Sequence, residues 1–156
     1  EEANVFLSAD EFVWFAHWTP PPSPQKRFAT FFYAAHTTIE HDISIDDGEI
    51  KDHAWIRPAD ALARHSAGEI DIVPPTWVTL YHLSLYQPTS ALLAHFRDNE
   101  VKVYSTHIGK TESGERVAMW HGDAGYEDWN ANTRGERHRL VMAKSGFVFE
   151  NTIEAY

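Results

Sequence analysis

A proline-rich loop carries the residues best suited to bind phosphate. Prolines occupy four of the five positions 20–24, which enforces a rigid, extended backbone and excludes both a helix and a central strand. Trp18 precedes these prolines, and Lys26-Arg27 follows them. Arginine presents paired donors to phosphate oxygens, and tryptophan can stack on a base. The segment from Trp18 to Thr30 therefore indicates either a clamp for phosphate and base or a structural loop with a solvated Lys-Arg pair.

A second group of candidate residues is acidic. Carboxylates are the ligands that Mg²⁺ and Mn²⁺ prefer, and these ions are the usual electrophiles in pyrophosphate chemistry. The spacing of the group matches no calcium-binding loop, so a solvated loop is the simplest interpretation of residues 42–47. Glu49 differs, because it begins a segment of alternating polarity. The group comprises Asp42, Asp46, Asp47, Glu49 and Asp52.

Other familiar catalytic patterns are missing from the sequence. Among the ten histidines, His36 and His41 flank Glu40, but neither H-E-x-x-H nor another zinc spacing occurs. The motifs of phosphate-binding loops, serine hydrolases and dinucleotide-binding turns are also missing. The chain contains no cysteine, which excludes a thiol nucleophile, an iron–sulfur site and a disulfide scaffold.

Charge and hydropathy limit the partners. The 156 residues include 13 basic and 23 acidic side chains, for a net charge of −10. Such a field repels nucleic acid, although a local cation or a bound metal could still hold a small phosphorylated molecule. No apolar run approaches the ~20 residues of a membrane span, and the acidic N-terminus lacks the basic region of a signal peptide. We expect a cytoplasmic protein without a membrane partner, which the lack of cysteine fits.

The elements that must position these residues can be read from hydrophobic periodicity. Residues 5–18 form two apolar, strand-length pieces, and residues 49–57 alternate as a strand. Residues 28–36 are continuously apolar and predict a central strand buried on both faces. Helices are predicted to begin at Pro58 and Pro74, where a missing N–H costs nothing, and a short helix covers 89–97.

Four short strands follow and define the fold class. Turn residues separate the segments 101–108, 116–121, 139–143 and 147–150. The sequence therefore predicts an α/β (α+β) fold, with a mixed β-sheet packed by helices in residues 1–97. A β-meander extension is expected over residues 98–156.

Several of these segments together resemble one branch of the Nudix hydrolases. Trp18-Thr19-Pro20 followed by Lys26-Arg27-Phe28-Ala29-Thr30-Phe31-Phe32 resembles the branch's W-(I/V)-T-P…R-F-D-T-x-F-F run. The branch's E…W-x-x-P-x-E-A-L segment is resembled by Glu49, Trp55 and the stretch 58–62. Its P-P-T segment is resembled by residues 74–76. Residues 122–126 and 135–140 resemble the tail of bacterial members. The branch contains the coenzyme A diphosphatase-like proteins and their bacterial relatives, and the resemblance spans about residues 5–150.

Two departures from the branch bear on catalysis. Ala29 stands where the family usually has aspartate. The Nudix box, G-x5-E-x7-R-E-U-x-E-E-x-G-U, whose glutamates bind the catalytic metals, is missing from the sequence. We therefore expect the chain to be the segment downstream of the box.

The resemblance implies an activity and a set of site residues. It implies metal-assisted attack of water on a nucleoside-diphosphate-linked substrate, with Mg²⁺ or Mn²⁺ held mostly by ligands elsewhere. Trp18, Arg27, Phe28 and Thr30 would bind substrate, and Glu49 would be an auxiliary catalytic carboxylate. A homodimer, or association with the box-containing segment, is the expected assembly. The alternatives are a non-catalytic binding or dimerisation module of the same fold and an unrelated α+β domain.

Overall fold

The protein contains both helices and sheets, as the sequence predicts. The computed structural model describes residues 11–23, 26–36, 45, 48 and 52–153. Sheet A has the strand order β2-β1-β3, with β1 at Val13–Thr19, β2 at Thr30–Ala34 and β3 at Lys102–Ser105. β1 pairs antiparallel with β2 and parallel with β3. The predicted α+β class is thereby confirmed.

Sheet B is an antiparallel meander of four strands. Its order is β4-β5-β6-β7, with β4 at His107–Lys110, β5 at Arg116–Met119, β6 at His138–Ala143 and β7 at Gly146–Asn151. Every neighbouring pair is antiparallel. The predicted segment 101–108 becomes two strands in different sheets. The split falls at Thr106, whose N–H donates to the Thr19 carbonyl over 3.0 Å before the chain enters sheet B.

Three helices lie between β2 and β3 in the described part of the chain. They are α1 at Pro58–Ser66, α2 at Pro74–Ser84 and α3 at Thr89–Asp98. Proline stands at the start of α1 and α2, where its fixed φ suits the first helical turn. Gly68 follows α1 with a φ of +74°, a conformation that glycine adopts without strain. None of these helices is long and apolar enough to cross a bilayer.

Two predicted strands differ from the structure. The apolar run 28–36 forms β2, which is an edge strand of sheet A rather than a central one. Phe31 and Tyr33 are 51% and 55% exposed, because they lie on the outer face of that sheet. Residues 52–57 carry no regular element. The remainder of the predicted strand 49–57, including Glu49, lies outside the described residues.

One hydrophobic core joins both sheets and α2. Its buried members come from β1, α2, β3, β5, the residue after β5 and β6: Ala16, Trp18, Trp77, Val78, Tyr104, Ala118, Trp120 and Leu140. These residues come both from the predicted helix-packed sheet, residues 1–97, and from the predicted β-meander extension, residues 98–156. The boundary between these two parts stays a prediction.

Candidate functional site

A cavity of about 620 Å³ opens where the proline loop, α2 and sheet B meet. Its volume lies within the ~300–1,000 Å³ typical of small-molecule sites. The lining is mostly apolar, with threonine side chains distributed through it. The lining residues are Trp18, Thr19, Pro20, Pro21, Phe28, Thr30, Phe32, Ile72, Val73, Pro74, Pro75, Thr76, Thr106, Ile108, Arg116, Ala118, Trp120, Met142 and Phe147. We call this the loop–sheet cavity.

Three of the four predicted substrate-binding residues line this cavity. Trp18, Phe28 and Thr30 do so from the end of β1, the loop and the start of β2. Arg27 is not among the lining residues. Its Nη1 donates to the Pro20 carbonyl over 3.2 Å, and Pro20 does line the cavity. The four predicted residues therefore lie close together, but the Arg27 side chain contacts the loop backbone and does not line the cavity.

Trp18 forms a fixed wall of the cavity. The side chain is 3% exposed and belongs to β1, not to the loop. Tyr104 stacks on its indole at 3.8 Å between centroids, and Trp120 meets it edge-on at 5.5 Å. Because Tyr104 covers one face of the indole, Trp18 shapes the cavity and is poorly placed to sandwich a base.

Phe28 is the aromatic side chain available for stacking. It is 65% exposed and lines the cavity. Lys26 Nζ lies 4.9 Å from the centroid of its ring, which is within the range of a cation–π contact. A planar ligand entering the cavity would therefore meet the Phe28 ring.

Arg116 is the residue that sequence reasoning missed. It is the one charged side chain among the lining residues, and no carboxylate lines the described cavity. Arg116 begins β5 and shares a face with Ala118, whereas Val117 points into a different hydrophobic cluster. The alternation of side chains along residues 116–120 places Arg116 on the same face as Trp120. This alternation indicates a binding role only when that face is known to border a cavity.

The start of α2 adds to the positive potential that Arg116 creates in the cavity. Pro74, Pro75 and Thr76 line the cavity and form the first turn of the helix, which contains no acidic residue. The helix macrodipole places partial positive charge there. Both prolines lack an N–H, so this turn contributes mainly through its dipole and offers few hydrogen bonds.

A buried ion pair fixes the loop between β5 and β6. Arg139 Nε and Nη2 donate to the Asp123 carboxylate over 2.6 and 2.5 Å. The backbone N–H groups of Gly125 and His138 also donate to this carboxylate. Burial raises the pKa of Asp123, but the hydrogen bonds from Arg139, His138 and Gly125 outweigh that effect and lower the pKa below its ordinary value. These contacts give Asp123 and Arg139 a structural role in the loop between β5 and β6.

The described residues do not assemble a metal site. Across 11–23, 26–36, 45, 48 and 52–153, no three His, Asp or Glu side chains lie close enough together to hold an ion. The acidic candidates at positions 42, 46, 47 and 49 lie outside the described residues. The Mg²⁺ or Mn²⁺ that the resemblance implies stays a prediction.

Comparison of the chain with protein-family models, curated proteins and solved structures gave no match.

Proposed function

We propose that this chain is the substrate-recognising segment of a Nudix-type hydrolase that cleaves a nucleoside-diphosphate-linked compound. One observation carries the proposal. Trp18, Phe28 and Thr30, singled out by sequence, line a single cavity whose charged lining residue is Arg116. The cavity thus combines aromatic walls with a cation, the two features that a nucleotide requires.

The chemistry of the lining supports a nucleotide rather than a purely apolar ligand. Arginine offers a planar set of donors that matches phosphate oxygens. The exposed Phe28 ring offers a stacking surface, and base–aromatic stacking contributes about 1–3 kcal/mol. Thr30 adds a hydroxyl that can donate to a ribose or phosphate oxygen. With no carboxylate in the described lining, an anion would meet little repulsion inside the cavity.

The catalytic part of the proposal concerns residues that the structure does not describe. Glu49 is proposed as an auxiliary carboxylate, alongside Nudix-box glutamates that this sequence does not contain. A bound Mg²⁺ or Mn²⁺ would polarise the diphosphate and lower the pKa of a water nucleophile. The described residues would bind and orient the substrate.

Titration calorimetry with ADP tests the recognition role. We expect the 156-residue chain to bind ADP, and Phe28→Ala to weaken binding by at least about fivefold, the low end for one lost stacking contact. Phe31→Ala is the matched control, because Phe31 is similarly exposed but lies on the outer face of sheet A. Failure of the wild-type chain to bind ADP, or equal losses in both variants, would contradict the proposal.

A second candidate function is a non-catalytic binding or dimerisation module. The outer face of sheet A favours it, because Trp14, Phe31 and Tyr33 are exposed there in adjacent strands. Contiguous apolar surface of this kind often marks an interaction site. Light scattering would test self-association: we expect a dimer that Tyr33→Lys converts to a monomer. A monomeric wild-type chain would contradict dimerisation.

A further inference from the structure

Two cations face each other across the β4–β5 ladder beside the loop–sheet cavity. Lys110 is the direct partner of Arg116 in this antiparallel pair, and Ile108 is the partner of Ala118. Directly opposed residues in an antiparallel ladder point to the same face. Since Ile108, Ala118 and Arg116 all line the cavity, Lys110 lies on the cavity side of sheet B.

Neither of these cations is neutralised within the described part of the chain. The side chains of Lys110 and Arg116 are exposed. Neither side chain takes part in the ion pairs or hydrogen bonds found among the described residues. The turn between them carries two carboxylates, Glu112 and Glu115. Neither carboxylate forms an ion pair with Lys110 or Arg116, and Glu115 accepts a hydrogen bond from Ser113. Like charges directly opposite in a ladder are unfavourable, so an anion bound between them would relieve that repulsion.

The other basic pair near the cavity is already engaged by its own loop. Lys26 lies over the Phe28 ring, and Arg27 donates to the Pro20 carbonyl. Both contacts are made within the loop itself. They leave Lys110 and Arg116 as the pair positioned to receive an anion.

We infer that Lys110 and Arg116 bind the diphosphate of the ligand, in place of the Lys26-Arg27 pair that the sequence favours. The inference rests on the proposed function, since it assigns the phosphate end of the same site. Arg116 would donate two parallel hydrogen bonds to one phosphate, and Lys110 would act as a point charge on the other. The nucleoside would then extend along the aromatic wall towards Phe28.

Calorimetry on the 156-residue chain with ADP and inorganic pyrophosphate separates the two ends of the site. We expect Arg116→Gln to weaken both ligands by at least about tenfold, the low end for a hydrogen bond to a charged group. Lys110→Gln should weaken both by a smaller factor. Phe28→Ala should weaken ADP alone, because pyrophosphate has no base to stack.

The matched controls are Lys26→Gln and Arg27→Gln, which remove one positive charge each from the same neighbourhood. Circular dichroism would establish that every variant is folded. If Arg116→Gln and Lys110→Gln bind both ligands as tightly as wild type while ADP still depends on Phe28, this inference is wrong and the proposed function stands. If the wild-type chain binds neither ligand, both are wrong.

Discussion

Trp18 and Tyr104 stack in parallel, with ring centroids 3.8 Å apart and planes inclined by 5°. The two residues are register partners in the parallel pairing of β1 with β3. Trp120 meets both rings edge-on at 5.5 Å. This three-ring cluster joins sheet A to sheet B, and two of its members, Trp18 and Trp120, line the loop–sheet cavity. The shape of the proposed site therefore depends on the hydrophobic core.

Truncating Trp18 should therefore lower the stability of the whole protein. We expect Trp18→Ala to reduce the free energy of unfolding by about 3–5 kcal/mol, the range for large aromatic residues in a core. The matched control is Trp55→Ala, because Trp55 is 77% exposed and its loss should cost about 0.5 kcal/mol or less. Urea unfolding measures both values. Equal losses in the two variants would contradict the structure.

The ion pair between Asp123 and Arg139 should be equally important for stability. Asp123→Asn leaves the buried guanidinium without its counter-charge, and we expect a loss of about 3–5 kcal/mol. Because the pKa of this carboxyl lies below its ordinary value of 3.8, its contribution is complete above that pH and is lost as the pH falls further.

A surface ion pair provides the control for Asp123. Arg64 and Glu69 are in contact at 3.1 Å, but both side chains are about half exposed. Glu69→Gln should cost about 1 kcal/mol or less. The account of the β5–β6 loop would be wrong if Asp123→Asn unfolded in urea at the same concentration as Glu69→Gln.

His82 should make stability depend on pH above the range in which Asp123 titrates. Burial and, to a lesser extent, the charges of His138, Lys102 and His95 together lower the pKa of His82 from 6.5 to about 3. The unfolded chain therefore binds a proton between these values that the folded chain does not. The free energy of unfolding should fall as the pH drops below 6.5, by up to about 1.4 kcal/mol per pH unit.

Urea unfolding at pH 7.5 and pH 5 isolates this contribution. The wild-type protein should lose more free energy of unfolding between these two pH values than His82→Gln does. The expected difference is about 2 kcal/mol, because His82 contributes about 1.4 kcal/mol per pH unit over the 1.5 pH units between pH 6.5 and pH 5. His53→Gln, at an exposed position, should keep the wild-type loss. An unchanged pH dependence in His82→Gln would show that the histidine is not held neutral by the fold.

A hydrolysis assay on the chain alone tests whether substrate binding and catalysis reside in different segments. We expect no turnover of nucleoside-diphosphate conjugates by the 156 residues with Mg²⁺, because the sequence lacks the Nudix-box glutamates that bind the metal. Phosphate or nucleotide release would be followed by chromatography. Robust turnover would place a complete catalytic site within these residues.

Local signals predicted most of the secondary structure. Pro58 and Pro74 marked two helix starts correctly, because proline's effect on the first turn does not depend on tertiary contacts. The order of strands in sheet A could not be predicted in the same way. The run 28–36 is apolar on both faces, yet β1 occupies the centre and β2 the edge, a choice made by pairing between distant segments.

The site was predictable only in part, for the same reason. Trp18, Phe28 and Thr30 lie close in sequence to the proline loop, so a local pattern could group them. Arg116 reaches the cavity from a strand almost 90 positions further along the chain. A single arginine at the start of a short strand carries no local signal of binding, and only the packing of sheet B against the loop reveals it.

Indole N–H signals of the six tryptophans give the most direct test of nucleotide binding in the loop–sheet cavity. Trp18 and Trp120 line this cavity. Trp14, Trp55 and Trp129 do not, and they are the exposed controls, whereas Trp77 is buried beside the lining residue Phe147 and does not serve as one. In a ¹⁵N-indole-labelled chain, with signals assigned by single Trp→Phe variants, ADP should shift the signals of Trp18 and Trp120 in a saturable manner. The account predicts that the signals of Trp14, Trp55 and Trp129 stay in place. Shifts confined to those three, or no shift at saturating ADP, would contradict it.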